Sequence, residues 1–269
     1  MPELPEVETV RAAMERHLVG RSIVATWTSR KRLRRPLPRA RLQSLAGDRF
    51  CAARRRAKFL ILELDSGRVL LVHLGMTGNL LFRPERRPHD HLRLELDAGP
   101  PLVFADPRRF GLVDLLDPGQ LSAHPSLVHL GLEPLSPAFD ADYLHACCRG
   151  RQRPIKTLLL DGRIVVGVGN IYASESLFRA GIRPTARAGR LSRARLTRLV
   201  AQIKAVLEAS IRLGGTTISD YLGSGSGGRF QQQLAVYGRA EEACLVCDAP
   251  VRSVVQAGRT SFYCPKCQS

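Results

Sequence analysis

The sequence predicts an α+β fold: an N-terminal antiparallel β-sandwich with flanking helices, a mainly helical second part, and a short C-terminal ribbon hairpin. Three observations carry this. Runs of β-forming residues flank turn signals between residues 58 and 105, a capped helical period covers 192–214, and two Cys-x2-Cys pairs close the chain. At 269 residues there is enough chain for more than one core. The expected division is 1–125, 126–235 and 236–269.

The first element is a helix. After Pro5, the apolar residues Val7, Val10, Met14 and Leu18 recur at helical spacing and Gly20 supplies a stop. The stretch RKRLRRPLPRARL has no sustained period and reads as a solvated loop. From Lys58, at the start of a strand, KFLILELDSGRVLLVHLGMTG places two apolar runs about DSG, a hairpin signal. HLRLELDAGPPLVFAD repeats it with alternation at Leu92, Leu94 and Leu96. Proline and serine then accumulate in SAHPSLVHLGLEPLSPAF, the expected connection between parts. LLLDGRIVVGVGNIYASESLFRAGI reads as two short helices about a glycine-rich turn. The long helix that follows takes Ser192 as N-cap, Leu196, Leu199, Val200, Ile203, Val206 and Leu207 as its apolar face, and Gly214 as its end. YLGSGSGGRFQQQ reads as a flexible loop.

Forty-one basic residues against 24 acidic give +17 and a pI near 10.6, which points to a polyanionic partner, nucleic acid first. No apolar run approaches the ~20 residues needed to span a bilayer. The acidic N-terminus lacks the pattern of a signal peptide, so a cytoplasmic location is the expectation. Of the basic residues only five are Lys, so Lys58 and Lys156 stand out, because lysine can give up a proton and arginine effectively cannot.

In the tail, Cys244 and Cys247 are followed by sixteen residues and then Cys264 and Cys267. This two-knuckle spacing is that of one structural, four-thiolate Zn²⁺ site. The segment between the knuckles predicts a β-hairpin turning near Ala257-Gly258, which projects Arg259 from or just past its tip. Such a ribbon on a basic chain indicates nucleic acid without distinguishing an enzyme from a binding module. The opening MPELPEVETV is equally open: Pro2 and the carboxylates Glu3, Glu6 and Glu8 can be helix punctuation, or Pro2 can carry a reactive amine once Met1 is removed.

Together, MPELPEVETV, RRRAKF at 54–59, HLGMTG at 73–78, HDH at 89–91, DPRRFG at 106–111, GVGNIYASESLF at 167–178 and the terminal ribbon with Arg259 resemble the formamidopyrimidine-DNA glycosylase family of bacterial base-excision repair enzymes. The resemblance runs from residue 2 to the last cysteine. It implies a helix-two-turn-helix domain between the β-sandwich and the zinc finger. It also implies a bifunctional DNA glycosylase and AP lyase, acting as a monomer on damaged double-stranded DNA and removing 8-oxoguanine and formamidopyrimidines by a Schiff base and β,δ-elimination. Pro2 resembles the nucleophile. An α-amino group has a reference pKa about two to three units below that of lysine, so more of it is free base near neutrality.

The same resemblance makes Glu3 the general acid/base, which needs a dry pocket to hold its proton, and Glu6 a supporting acid. Glu8 is left as surface. Lys58 resembles the lysine that assists base departure, and Lys156 and Asn170 resemble phosphate contacts. Met76, Arg108 and Phe110 fit the residues that fill the hole left by an extruded base. His89 resembles a DNA-contacting histidine, and Arg259 the zinc-finger arginine on the flanking phosphates. Where relatives often carry lysine shortly after the paired threonines, this chain has Ser219, which bears on lesion preference. Two other readings are an endonuclease VIII-like enzyme for oxidised pyrimidines, which usually has glycine at the place of Leu4, and a non-catalytic zinc-ribbon DNA-binding protein.

Overall fold

The computed structural model describes residues 2–215 and 229–269. Residues 2–128, with Gly214 and Gly215, form one compact unit; residues 129–213 with 229–269 form a second. Met1, Ser219 and the Gly/Ser stretch lie outside the described residues.

In the first unit, helix α1 (Leu4–His17) buries Leu4, Val7, Val10 and Met14, and the chain leaves it through Gly20 at φ +87°. Eight strands follow: β1 (Ile23–Thr28), β2 (Phe50–Arg56), β3 (Phe59–Leu64), β4 (Val69–His73), β5 (Asn79–Phe82), β6 (Asp90–Leu96), β7 (Leu102–Ala105) and β8 (Leu112–Leu116). They form two four-stranded sheets, ordered β1-β6-β7-β5 and β2-β3-β4-β8, with every neighbouring pair antiparallel. Period-2 alternation sends Leu80, Leu92, Leu94 and Phe104 of one sheet and Leu60, Leu62, Leu70 and Val72 of the other into a shared core with α1. The Arg/Pro stretch is not a plain solvated loop. It carries a short helix, α2 (Arg39–Gln43), and inserts Leu33, Leu37 and Leu42 into that core. Pro36 and Pro38 break the period that would have revealed it.

One end of the second sheet gathers the predicted site. The β2–β3 turn at residues 57–58, His73 at the end of β4 and Leu112 at the start of β8 share it, because Phe59 pairs with His73 and His73 with Leu112. Helix α1 runs antiparallel to β2: Glu15 accepts from the Ala53 N–H, Arg11 donates to the Ala53 carbonyl, and Glu8 pairs with Arg55. The first turn of α1 therefore points toward that same end.

The second unit contains α3 (Ala141–Cys148), α4 (Ile155–Leu159), α5 (Asn170–Arg179) and α6 (Arg193–Arg212). All six apolar residues predicted for the long helix are buried in α6, its N-cap Ser192 accepts from Arg195 N–H, and Gly214 follows at φ +77°. Arg229–Gln233 form a 3-10 turn rather than loop, with Phe230 buried against Tyr172. The ribbon is β9 (Arg252–Gln256) and β10 (Arg259–Tyr263), joined by Ala257 and Gly258 at φ +48° and +74°, the two left-handed residues of a tight hairpin turn. Among the described residues no helix is long and apolar enough to cross a membrane.

Candidate active site and nucleic-acid interface

Helix α1 begins with Glu3 as N-cap, and the Glu6 carboxylate accepts from the Glu3 N–H at 2.8 Å in a capping-box arrangement. Both carboxylates are 2% exposed, while Pro2 beside them remains half-buried. Removing two carboxylates from water is costly, so their hydrogen bonds are needed to hold them there. Gly215 packs on this turn with φ +84°, and a Cβ added there would lie 2.9 Å from Glu6 Oε1. Glu8 is not simply surface. It accepts from Arg11 and Arg55, both at 2.7 Å, and Arg55 in turn donates to the Ala57 carbonyl at 2.9 Å. Arg55 thus braces the turn that carries Lys58 against the first turns of α1.

Lys58 does not start a strand; it is the second residue of the two-residue turn between β2 and β3, after Ala57 at φ +55°. Neighbouring it is His73, which sequence reasoning passed over. Burial, then the charges of Arg34 and Lys58, push its pKa down from 6.5 to about 4. Its Nδ1 accepts from the Gly75 N–H at 2.9 Å, so the neutral ring carries its proton on Nε2.

Met76, Arg108 and Phe110 come from two loops that interlock. A Cβ on Gly75, at φ +65°, would lie 2.5 Å from the Phe110 carbonyl carbon, and one on Gly111 would lie 2.6 Å from the Phe104 ring. Only glycine lets the Gly75 backbone approach that of Phe110, and the Gly111 backbone approach the Phe104 ring, this closely. Buried Asp106 ties them: it accepts from Thr77 Oγ1 at 2.6 Å and from the Gly111 N–H at 2.7 Å, while Thr77 Oγ1 accepts from the Arg108 N–H at 3.2 Å. Behind it, buried His91 donates from Nε2 to the Asp106 carbonyl and accepts from Ser29 at Nδ1, each at 3.0 Å; burial holds its pKa below the ordinary value. The result is a rigid base under exposed tips: Met76 and Phe110 are 39% and 43% exposed, and the Arg108 guanidinium lies 4.9 Å from the Phe110 ring centre. His89 is also exposed, at φ +75°, with its carbonyl accepting from the Asp106 N–H at 2.9 Å.

In the second unit, Asn170 opens α5 after the glycine-rich turn, and Arg259 opens β10 with its side chain exposed. Lys156 is 1% exposed. Its Nζ donates to the Thr260 carbonyl at 3.3 Å and to Ser261 Oγ at 2.8 Å. Asn170 Nδ2 donates to the same Thr260 carbonyl at 2.9 Å. These two side chains fix the strand beside Arg259. Glu175, fully buried and also missed in the sequence, accepts from the N–H groups of Ala235, Val236 and Tyr237 at 2.9–3.0 Å and so anchors the chain entering the ribbon. Neither Glu175 nor Asp106 sits on a periodic pattern that would mark it as buried.

The Sγ atoms of Cys244, Cys247, Cys264 and Cys267 lie within 4.8 Å of one another, with two pairs at 3.4 and 4.0 Å. Zn–S bonds of about 2.3 Å in a tetrahedron require sulfurs about 3.8 Å apart, so the four thiols fit one zinc ion. Gln268 secures the second knuckle by accepting from the Cys264 N–H at 2.8 Å and donating to the Ile182 carbonyl at 2.7 Å.

Residues 1–113 match the family described as formamidopyrimidine-DNA glycosylase N-terminal domain, residues 130–221 its H2TH domain, and residues 241–269 the zinc finger found in FPG and IleRS. The chain is 50% identical over 272 residues to the formamidopyrimidine-DNA glycosylase of Thioalkalivibrio sulfidiphilus, with both chains fully covered. It is 50% identical over 283 residues to that of Cupriavidus pinatubonensis, again with full coverage. Among solved structures it superposes on MutM (Fpg) from Thermus thermophilus with a TM-score of 0.88 at 39% identity, covering 99% of this chain and 98% of that one. A MutM complex with carbocyclic 8-oxo-G DNA aligns at a TM-score of 0.89 and 34% identity, with both chains fully covered.

Proposed function

Since this chain belongs to the formamidopyrimidine-DNA glycosylase family, we propose that it excises oxidised purines from duplex DNA through its N-terminal proline and then cleaves the strand. The observation that carries this reading is the convergence of the first turn of α1, with Pro2 and two buried carboxylates, on the sheet end that bears Lys58 and His73.

With Met1 removed, the Pro2 nitrogen attacks C1′ of the damaged nucleoside and the glycosidic bond breaks. The departing base takes a proton, with Lys58 assisting. Glu3 protonates the ring oxygen as the C1′–O4′ bond opens, which leaves an iminium between C1′ and Pro2. That cation is the electron sink for loss of the 3′ phosphate and then the 5′ phosphate. Glu6 fixes Glu3 by accepting its N–H. Neutral His73 offers its Nε2 proton to a backbone phosphate without adding charge. Met76, Arg108 and Phe110 fill the space of the extruded nucleotide, with the arginine toward the orphaned base.

In the second unit, Asn170 and Arg259 grip phosphate, and Lys156 acts through β10 by fixing the strand on which Arg259 stands. One structural zinc holds the ribbon in the shape that presents that arginine; it supplies no chemistry to the reaction. The protein acts as a single chain, on the chromosome, in the bacterial cytoplasm.

Borohydride trapping on a duplex with 8-oxoguanine opposite cytosine tests this, with peptide mapping of the adduct. A reduced crosslink on a peptide beginning at Pro2 is expected. A duplex that binds but is neither crosslinked nor cut overturns the reading in favour of a non-catalytic DNA-binding protein.

A further inference from the structure

The first unit carries a strongly basic groove of about 580 Å³ that the chemistry above does not use. Three segments line it: the end of β1 and the residues after it, α2, and the β5–β6 loop. Its cations are Arg30, Lys31, Arg39, Arg86 and Arg87, all exposed, and its wall is Trp27. The Arg86 guanidinium lies 3.8 Å over the indole ring. A guanidinium stacked in this way is oriented while its in-plane donors stay available to an anion.

The counter-charge expected of a structural cluster is missing. Among the described residues, Arg30, Lys31, Arg39 and Arg86 have no carboxylate partner, and Arg87 has only an exposed contact with Glu85 at 3.9 Å, a pair worth little in water. Asp90, the one carboxylate in the lining, is already committed to Arg83 and to the Arg87 N–H. Like charges left unpaired along a groove raise the local positive potential and so favour a polyanion that enters it. At one end the lining reaches His89, whose carbonyl accepts from Asp106, the residue that ties the loops of Met76 and Phe110. The cations are spread over three segments instead of converging on one point, which suits a phosphate backbone better than a small dianion.

We infer that this groove is a second phosphate-binding track, which takes the backbone of duplex DNA as it leaves the lesion. The inference rests on the function proposed above. Its test is the double variant R30Q/R39Q, whose two positions are exposed and outside the proposed catalytic machinery. Salt-dependent binding and single-turnover excision are measured on lesion duplexes of about 12 and about 40 base pairs. On the long duplex, loss of two phosphate contacts lowers the slope of log Kd against log salt by about 1.8. On the short duplex, slope and excision stay at wild-type values.

An unchanged slope on the long duplex overturns the inference, whatever affinity the variant loses for an acidic peptide such as oligoglutamate. An equal loss on both duplexes also overturns it, since it would place the arginines at the lesion. Failure of the wild-type protein to excise from either duplex refutes the proposed function instead, and the two failures are thereby distinguished.

Discussion

Replacing Asp106 with asparagine probes whether the void-filling tips are preorganised by a single buried carboxylate. Asp106 accepts from Thr77 Oγ1 at 2.6 Å and from the Gly111 N–H at 2.7 Å, with no exposure to solvent. Hydrogen bonds to a charged acceptor contribute about 1.5–3 kcal/mol each. Asparagine can keep its oxygen on the Gly111 N–H and donate from its N–H₂ to Thr77 Oγ1, so both contacts survive only as weaker, neutral hydrogen bonds. The expected cost is about 2–3 kcal/mol in urea unfolding of the zinc-loaded protein. Thr77→Val removes the matching hydroxyl, which also serves the Arg108 N–H at 3.2 Å. Because both variants act on the same bond, the double variant should fall short of additivity by about 1–2 kcal/mol. Single-turnover excision of 8-oxoguanine should drop in each single variant, since the tips lose their base, while trapping at an abasic site, which needs no base to be displaced, should fall less. A D106N protein within about 0.5 kcal/mol of wild type, or strict additivity with T77V, would refute the clamp.

Other expectations follow from the same structure. His73 is held neutral in the fold, with its pKa lowered from 6.5 to about 4 by burial and by Arg34 and Lys58. The folded state therefore binds fewer protons than the unfolded state between those values. The contribution is present above pH 6.5 and is lost as pH falls toward 4, at most about 3 kcal/mol; unfolding free energies of wild type and His73→Gln between pH 7 and 4 should converge if this is right. Glu175→Gln keeps the shape but removes the charge that accepts three N–H groups, and should cost about 2 kcal/mol and loosen the ribbon, read by hydrogen exchange at residues 235–237. Chelating zinc should unfold the ribbon, whose own apolar cluster is small, and abolish DNA binding while circular dichroism still reports the β-sandwich. Full activity after complete zinc removal would contradict that assignment.

Much of the layout was legible because it rests on local rules. The helical period of α1 and α6, the hairpin signals about DSG and Ala257-Gly258, and the paired Cys-x2-Cys knuckles each depend on residues close in sequence, and each appears where expected. The family resemblance rests likewise on contiguous motifs. Other features depend on partners tens of residues away. Nothing near Lys156 in the chain shows that its ammonium is buried against Thr260 and Ser261, more than a hundred residues on. Glu8 looked like surface because Arg55, 47 residues later, is what holds it. Asp106 and Glu175 carry no periodic mark, yet each is buried because distant N–H and O–H groups meet its charge. The sequence by itself determined the elements and the chemical inventory, through spacing and backbone preference. Only the tertiary structure decided which polar groups leave water, because a buried charge is stable only where distant donors have been brought to it.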